Sequence, residues 1–223
     1  MVASGPEQWA AVDERLAVFA REDAALAAAR TSTEVTSPGI EVSRQFGRLL
    51  HLLVASSGAR RVLEFGTLAG YSTIWLARAV GPSGRVVSIE LDRGNAAVAR
   101  RHLEDAGVSA WVDIHCGSAA DVSARMVAAG GEPFDFVFLD ADKAPLRIYV
   151  ERALALARVG ALIVIDNVVR GGRVLEPGDD PQVRGVVTAL GALQSDDRVQ
   201  VSVLQTVGEK GWDGFAVVRK VAP

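Results

Sequence analysis

The sequence of 223 residues is poor in several residue types, and each shortage narrows what the chain can be. Cys116 is the only cysteine, so no internal disulfide and no thiolate metal cage can form, and we expect this side chain to be small and buried. The three histidines are too scattered for a zinc site. Residues 1–30 carry charges that neither a secretory signal nor a membrane span tolerates. We therefore expect a cytoplasmic protein that does not enter a membrane.

Basic residues form no cluster along the chain, and the formal net charge is -3. A nucleic-acid or anionic membrane surface needs concentrated Lys and Arg, so neither partner is favoured. Apolar residues, in contrast, make up 49% of the sequence, which is enough for a substantial core. We expect one domain over residues 1–223.

The pattern of apolar residues predicts helices first and a sheet afterwards. Residues 6–30 and 42–56 have helical periodicity and form an expected N-terminal region, residues 1–56. From residue 60 onward, short β-branched runs alternate with segments of helical length, and two late runs, 199–204 and 214–221, suit an antiparallel pair. Such alternation predicts an α/β fold with a doubly wound, mostly parallel sheet, an antiparallel edge and helices on both faces.

The first strand is followed by a turn that suits a cofactor. Gly66 and Gly70 allow a tight turn before the next helix, while Glu64 precedes them where it suits an ammonium better than a pyrophosphate. The G-x-G-x-x-G fingerprint is absent, which disfavours a nicotinamide enzyme. Glu90 ends the second strand and can accept both hydroxyls of a ribose. These residues favour an adenosyl cofactor with a methionine amino group.

Polar residues also end the fourth and fifth predicted strands. Because neighbouring parallel strands end at one edge, Asp140, Asp166 and Asn167 can converge on one point. Three oxygen donors suit Mg²⁺, with Mn²⁺ or Ca²⁺ as substitutes. Lys143 follows Asp140 closely and can act as a proton acceptor, because a neighbouring cation disfavours an ammonium.

Three segments together resemble a known family: EFGTLAGYS at residues 64–72, FLDADK at 138–143 and DNV at 166–168. They are similar to the cation-dependent O-methyltransferases of the caffeoyl-CoA and catechol type, in their bacterial branch, and the resemblance runs from about Ile40 to the C-terminus. It implies a class I, Rossmann-like methyltransferase fold that binds S-adenosylmethionine (SAM). It implies metal ligation by Asp140, Asp166 and Asn167, with Lys143 as the base and Asp140 near the methionine end. The SAM contacts that it implies are Val42, Glu64, Gly66, Thr67, Ser72, Glu90, Ala119 and Asp140.

The implied reaction is metal-dependent methyl transfer from SAM to a hydroxyl of a small aromatic acceptor of catechol or caffeoyl type. The resemblance also implies a homodimer. Two departures lie near the expected acceptor: Leu146 stands where bacterial relatives carry a tyrosine, and residues 170–173, RGGR, replace a Trp-containing stretch. Two alternatives stay open, a tRNA-modifying methyltransferase of the same family and a non-catalytic SAM-binding protein.

Overall fold

One sheet runs through the computed structural model, which describes residues 5–223. Its strands in chain order are β1 (Arg61–Phe65), β2 (Arg85–Glu90), β3 (Val112–Cys116), β4 (Phe134–Leu139), β5 (Ala157–Asp166), β6 (Val199–Gly208) and β7 (Gly211–Lys220). Their spatial order is β3-β2-β1-β4-β5-β7-β6. Pairings among β1 to β5 are parallel, whereas β7 runs antiparallel to β5 and to β6. The expected mostly parallel sheet with an antiparallel edge is confirmed.

Helices cover both faces of this sheet. In chain order they are α1 (Pro6–Leu16), α2 (Ala24–Arg30), α3 (Arg44–Ser57), α4 (Tyr71–Val80), α5 (Arg93–Asp105), α6 (Ala119–Ala129), α7 (Leu146–Leu156) and α8 (Pro181–Gln194). Short 3-10 turns occupy Ala17–Phe19, Ser109–Trp111 and Arg170–Leu175. In the part of the chain that the structure describes, no helix has both the length and the apolar composition that crossing a membrane requires.

The central strands are apolar on both sides because each side faces a separate core. Along β4, Val137 and Leu139 join the cluster formed with α6, α7 and α8, while Phe136 and Phe138 join the cluster formed with α2 to α5. All four side chains are fully buried. Burying one such side chain contributes about 1.5–3 kcal/mol, so the alternation secures helices on both faces.

The N-terminal region differs from the single helix expected over residues 6–30. Helix α1 stops at Leu16, and α2 begins only after Asp23, whose carboxylate accepts a hydrogen bond from the backbone N–H of Leu26. Arg78 of α4 also donates to Asp23, at 2.6 Å. The prediction was wrong because Asp23 caps a new helix instead of lying inside a longer one, and Phe19 remains exposed. Residues 1–4 of the expected region 1–56 lie outside the described residues.

Three smaller expectations also need correction or adjustment. Cys116 is exposed, not buried, because it ends β3, the outermost strand on its side of the sheet. A 3-10 turn delays the start of β3 to Val112, and β5 begins earlier than the pattern suggested, at Ala157. Nothing in these shifts moves the carboxyl ends of the strands, where the polar residues lie.

A buried lysine ties the end of α7 to the sheet. Nζ of Lys220, on β7, donates to the carbonyl oxygens of Leu154 (3.0 Å) and Ala157 (3.1 Å). We expect Lys220→Met to lower the free energy of unfolding by about 1–3 kcal/mol, because two buried carbonyl groups lose their partner. Urea denaturation measures this change.

Arg219 is the matched control for Lys220, since it is the preceding residue of β7 and is exposed. Arg219→Met should change the unfolding free energy by no more than about 0.5 kcal/mol. Equal losses in both variants would contradict a capping role for Lys220.

Candidate functional site

A cavity lies at the carboxyl ends of the strands, where ligands bind in open α/β sheets. Strand order turns back between β1 and β4, and the β1–α4 loop, the end of β2 and the β4–α7 loop surround a cavity of about 620 Å³. Of the residues expected to contact SAM, those that line it are Val42, Gly66, Thr67, Ser72, Glu90, Ala119 and Asp140.

The β1–α4 loop brings backbone close to this cavity. Gly66 has a φ of +96°, and a side chain there would overlap the carbonyl oxygen of Asp140. Its N–H donates to the carbonyl oxygen of Ile89 at 2.9 Å. Only glycine allows the loop to pass between the ends of β2 and β4 in this way.

Glu64 lies beneath the cavity and does not line it. Its side chain is fully buried, and its oxygens accept hydrogen bonds from the hydroxyls of Ser72 (2.6 Å), Thr73 (2.5 Å) and Ser88 (2.6 Å). Burial raises the pKa of the Glu64 carboxyl to about 7, against the lowering effect of these hydroxyls. Ser72, which lines the cavity, therefore connects Glu64 to it. Thr73 and Ser88 are further hydrogen-bond partners of Glu64 that the sequence analysis did not identify.

Glu90 fixes the shape of the β1–α4 loop from the end of β2. One carboxylate oxygen accepts from the backbone N–H groups of Thr67 (3.2 Å) and Leu68 (2.8 Å). The other accepts from the N–H of Asp92 (2.9 Å) and from the amide of Asn95 (3.4 Å). These donors hold the carboxylate at the cavity wall, in the place where a ribose is bound in nucleotide-binding sheets.

Val42 and Ala119 both line the cavity. Val42 belongs to the segment that precedes α3 and is nearly buried, and Ala119 is the first residue of α6. Ser118 caps that helix, since its hydroxyl accepts from the N–H of Asp121 at 3.5 Å. Both residues present small apolar surface to the cavity.

Asp140 and Lys143 meet in the loop after β4. Nζ of Lys143 donates to Oδ1 of Asp140 (3.1 Å) and to the carbonyl oxygen of Ala141 (2.8 Å). The backbone N–H of Lys143 donates to the side-chain oxygen of Gln182 (2.5 Å), which ties the loop to α8. The Lys143 side chain is almost fully buried, so its ammonium is directed into the site and not into solvent.

Asp166 and Asn167 end the neighbouring strand. In the parallel pairing of β4 with β5, Leu139 lies opposite Ile165. Asp140 and Asp166 are the next residues along these strands, so both lie at the same edge of the sheet. Low-polarity surroundings raise the pKa of both carboxyls; the charge of Asp140 raises that of Asp166 further, while Lys143 opposes the rise at Asp140. The structure thus brings together the acidic residues that the sequence singled out.

Asp213, which the sequence analysis did not identify, organises the turn after β5. Its Oδ2 accepts from Nδ2 of Asn167 at 3.3 Å, and its Oδ1 accepts from the N–H groups of Val169 (3.0 Å) and Arg170 (2.8 Å). Asn167 itself has a left-handed φ of 56°. Because the amide nitrogen is engaged by Asp213, the amide oxygen is left as the free acceptor of Asn167.

A second cavity, of about 400 Å³, adjoins the first at Asn167. Phe46, Leu49 and Phe215 give it an apolar wall, and Asp166 lies at its margin. The acidic residues therefore stand between two spaces, one bordered by the β1–α4 loop and the other by α3 and the β6–β7 hairpin.

Comparison with known proteins decides the class of this site. The family described as O-methyltransferase matches residues 18–221. The chain belongs to the O-methyltransferase family. Catechol O-methyltransferase from Mycobacterium tuberculosis is 47% identical over 197 residues, which are 88% of each chain.

Two solved structures extend this similarity to the fold. The O-methyltransferase TomG from Streptomyces achromogenes, involved in tomaymycin synthesis and solved in complex with SAM, has a TM-score of 0.94 and 42% identity, covering 99% of this chain and 100% of its own. The O-methyltransferase from Bacillus cereus, in complex with SAH, has a TM-score of 0.89 and 40% identity, covering 97% and 100%. This protein is therefore a SAM-dependent O-methyltransferase with the expected class I fold.

The raised pKa of Glu64 makes the stability of this O-methyltransferase depend on pH. The ordinary pKa is 4.5 and the folded value is about 7, so between these values the folded chain holds a proton that the unfolded chain releases. Stability from this group is present below pH 4.5 and is lost as pH rises to about 7. In Glu64→Gln this loss is absent.

We expect the unfolding free energy of wild type, relative to Glu64→Gln, to fall by up to about 3 kcal/mol between about pH 5 and about pH 8. Denaturant titrations at both pH values measure it, and the difference between the two proteins removes contributions from other carboxyls. A difference that does not change with pH would contradict the protonation of Glu64 in the folded chain.

Proposed function

We propose that this enzyme transfers the methyl group of SAM to a hydroxyl of a small catechol-like or caffeoyl-type acceptor, with the help of a divalent cation. The observation that carries the proposal is the meeting of Asp140, Asp166 and Asn167 with Lys143 beside the SAM cavity. A purely SAM-binding protein would have no need for a buried lysine and paired carboxylates at this position.

The donor set fits a hard cation. Residues 5–223 contain no group of three or more His, Cys, Asp or Glu side chains that could hold a metal ion. The proposed site has two carboxylates, Asp140 and Asp166, and one amide oxygen, from Asn167, which suits Mg²⁺ with Mn²⁺ or Ca²⁺ as substitutes. Two like charges in surroundings that raise their pKa values are stabilised by a cation between them. When bound, the cation supplies Lewis-acid stabilisation of a phenolate.

The protein's own side chains remove the proton and position the acceptor oxygen. We assign Lys143, acting as a neutral amine that a bound cation would favour, as the group that takes the proton from the acceptor hydroxyl and becomes an ammonium, since Asp140 and the Ala141 carbonyl oxygen hold its Nζ within the site. The acceptor oxygen then attacks the methyl carbon, and the carbon–sulfur bond breaks to leave SAH. Most of the rate gain comes from holding the oxygen in line with the sulfur.

The walls of the first cavity suit the parts of SAM. We assign the methionine amino group to Ser72, with the Glu64 carboxylate behind it, and the ribose hydroxyls to Glu90. The backbone of Gly66 and Thr67 would lie close to the bound SAM, and Asp140 would lie near its methionine end. Val42 and Ala119 would cover apolar parts of the cofactor. The amino group of bound SAM, as an ammonium near Glu64, would favour the carboxylate form of that residue. The three hydroxyls that donate to Glu64 would then stabilise the carboxylate in the SAM-bound enzyme.

Replacement of one metal ligand tests the proposal. In Asp166→Asn, one of the two negative charges is lost, so we expect kcat/KM with Mg²⁺ to fall by about 100-fold or more, while SAM affinity changes by less than about threefold. Methyl transfer from labelled SAM to catechol and to caffeoyl esters, with Mg²⁺ or with EDTA, measures the first effect, and calorimetry measures the second.

Asp179→Asn is the matched control, because Asp179 is exposed and pairs only with Arg184 within the described residues. It should behave as wild type. Product that persists in EDTA would overturn the metal assignment. SAM binding without methylation of any such acceptor would overturn the acceptor class, and tRNA binding on filters at low salt would then test the alternative substrate.

We also propose that the enzyme is a homodimer built on the β6 edge of the sheet. Apolar side chains with substantial exposure line this strand: Val201, Val203, Leu204 and Val207. β6 is the last strand on its side, and an edge strand with exposed apolar residues can pair with its own copy about a two-fold axis.

Light scattering after gel filtration should give twice the chain mass of 23.5 kDa. We expect Val203→Lys to give monomers, because a lysine at the centre of β6 would be buried without a partner in such an interface. A monomeric wild type, or a dimer that Val203→Lys does not weaken, would contradict this proposal.

A further inference from the structure

Arg170 lies beside the proposed reaction centre, at the start of the 3-10 turn Arg170–Leu175. It follows the turn of Asp166 and Asn167 and lines the same cavity as Lys143 and Asp140. Neither the SAM contacts nor the metal ligands assigned above give this residue a role. Its guanidinium is a positive charge at the wall of that cavity.

The guanidinium of Arg170 forms no hydrogen bond or ion pair within residues 5–223, although its charge helps to lower the pKa of Asp140 against the larger effect of burial. Its Nε is buried without a hydrogen bond, and no carboxylate of that part of the chain lies within 4.0 Å of the side chain in an ion pair. Nearby arginines are paired, Arg173 with Asp180 and Arg184 with Asp179. A buried donor of a charged group that is left unpaired costs free energy, so a ligand that accepts from it gains affinity.

The backbone of Arg170 is held in a costly conformation. Its φ is 56°, a left-handed value that is unfavourable for a residue with a side chain. Oδ1 of Asp213 accepts from its N–H, and Nε of Arg173 donates to its carbonyl oxygen at 3.1 Å. Asp213 also holds the amide of Asn167, so one carboxylate fixes both the metal ligand and Arg170.

We propose that Arg170 binds a carboxylate of the methyl acceptor, so that the preferred acceptors are aromatic acids with two adjacent hydroxyls. This inference rests on the proposed function. A guanidinium presents two parallel N–H groups that match a carboxylate, whereas a neutral catechol leaves it unpaired. The same cavity also receives the carboxylate of SAM, so the experiment separates these two sources.

The test compares 3,4-dihydroxybenzoate with its methyl ester, which has the same hydroxyls and no charge. In Arg170→Gln we expect kcat/KM for the acid to fall by about 10- to 100-fold, and for the ester by less than about threefold. Arg170→Lys keeps the positive charge but lacks the two parallel N–H groups of a guanidinium. Its loss of kcat/KM for the acid should therefore be intermediate. Arg184→Gln, an exposed arginine on α8, is the matched control and should change neither value.

Three results would overturn the inference. Equal losses for acid and ester would show that Arg170 supports the site as a whole. A fall in SAM affinity of Arg170→Gln, measured by calorimetry, would assign the guanidinium to the carboxylate of SAM. An unchanged kcat/KM for the acid would leave Arg170 without a role in acceptor binding.

A binding measurement separates this inference from the proposed function. Calorimetry of 3,4-dihydroxybenzoate with the SAH-bound enzyme does not need turnover. If the acid binds and Arg170→Gln weakens it by about tenfold or more, the carboxylate site stands even where no methyl transfer occurs. If both substrates are methylated but Arg170→Gln binds the acid as wild type does, the proposed function stands and the carboxylate site is wrong.

Discussion

The closeness of two carboxylates, Asp140 and Asp166, is the constraint on which this site depends. Parallel pairing of β4 with β5 sets it, because Leu139 and Ile165 are partners and the next residue of each strand borders one of the two adjoining cavities. Burial raises the pKa of both carboxyls, the charge of Asp140 raises that of Asp166 further, and Lys143 offsets only part of the rise at Asp140. A cation between the carboxylates would favour their charged forms, so the proposed metal would stabilise the arrangement.

A framework of polar contacts behind the cavity keeps the loops in place. Glu90 receives the N–H groups of the β1–α4 loop, Gln182 receives the N–H of Lys143, and Asp213 receives those of the turn after β5. In each case a side chain from outside the loop accepts hydrogen bonds from loop N–H groups that have no partner within a helix or strand. The loops around the cavity are thus held in shape before any ligand arrives, which lowers the ordering cost of binding.

Residues that end strands could be predicted, because chain order alone places them at one edge of a parallel sheet. That rule identified Glu90, Asp140 and Asp166 without any knowledge of strand order. It could not identify Asp213, which reaches the edge only because β7 inserts antiparallel beside β5. The helix break at Asp23 was missed for a similar reason, since capping competes with helical periodicity and the contact with Arg78 is 55 residues away.

The charges around the proposed reaction centre agree with an anionic acceptor. The charge of a divalent cation would be balanced by Asp140 and Asp166, which leaves Arg170, and Lys143 once it has taken the proton of the hydroxyl, as the positive groups. Other nearby acids are already engaged, since Asp142 accepts from the hydroxyl of Tyr149 at 2.6 Å and Asp213 from backbone N–H groups. An acceptor with an ionising hydroxyl and a carboxylate matches both positive groups, whereas a neutral catechol matches only Lys143. Charge balance therefore agrees with the acceptor class that the unpaired guanidinium of Arg170 indicates.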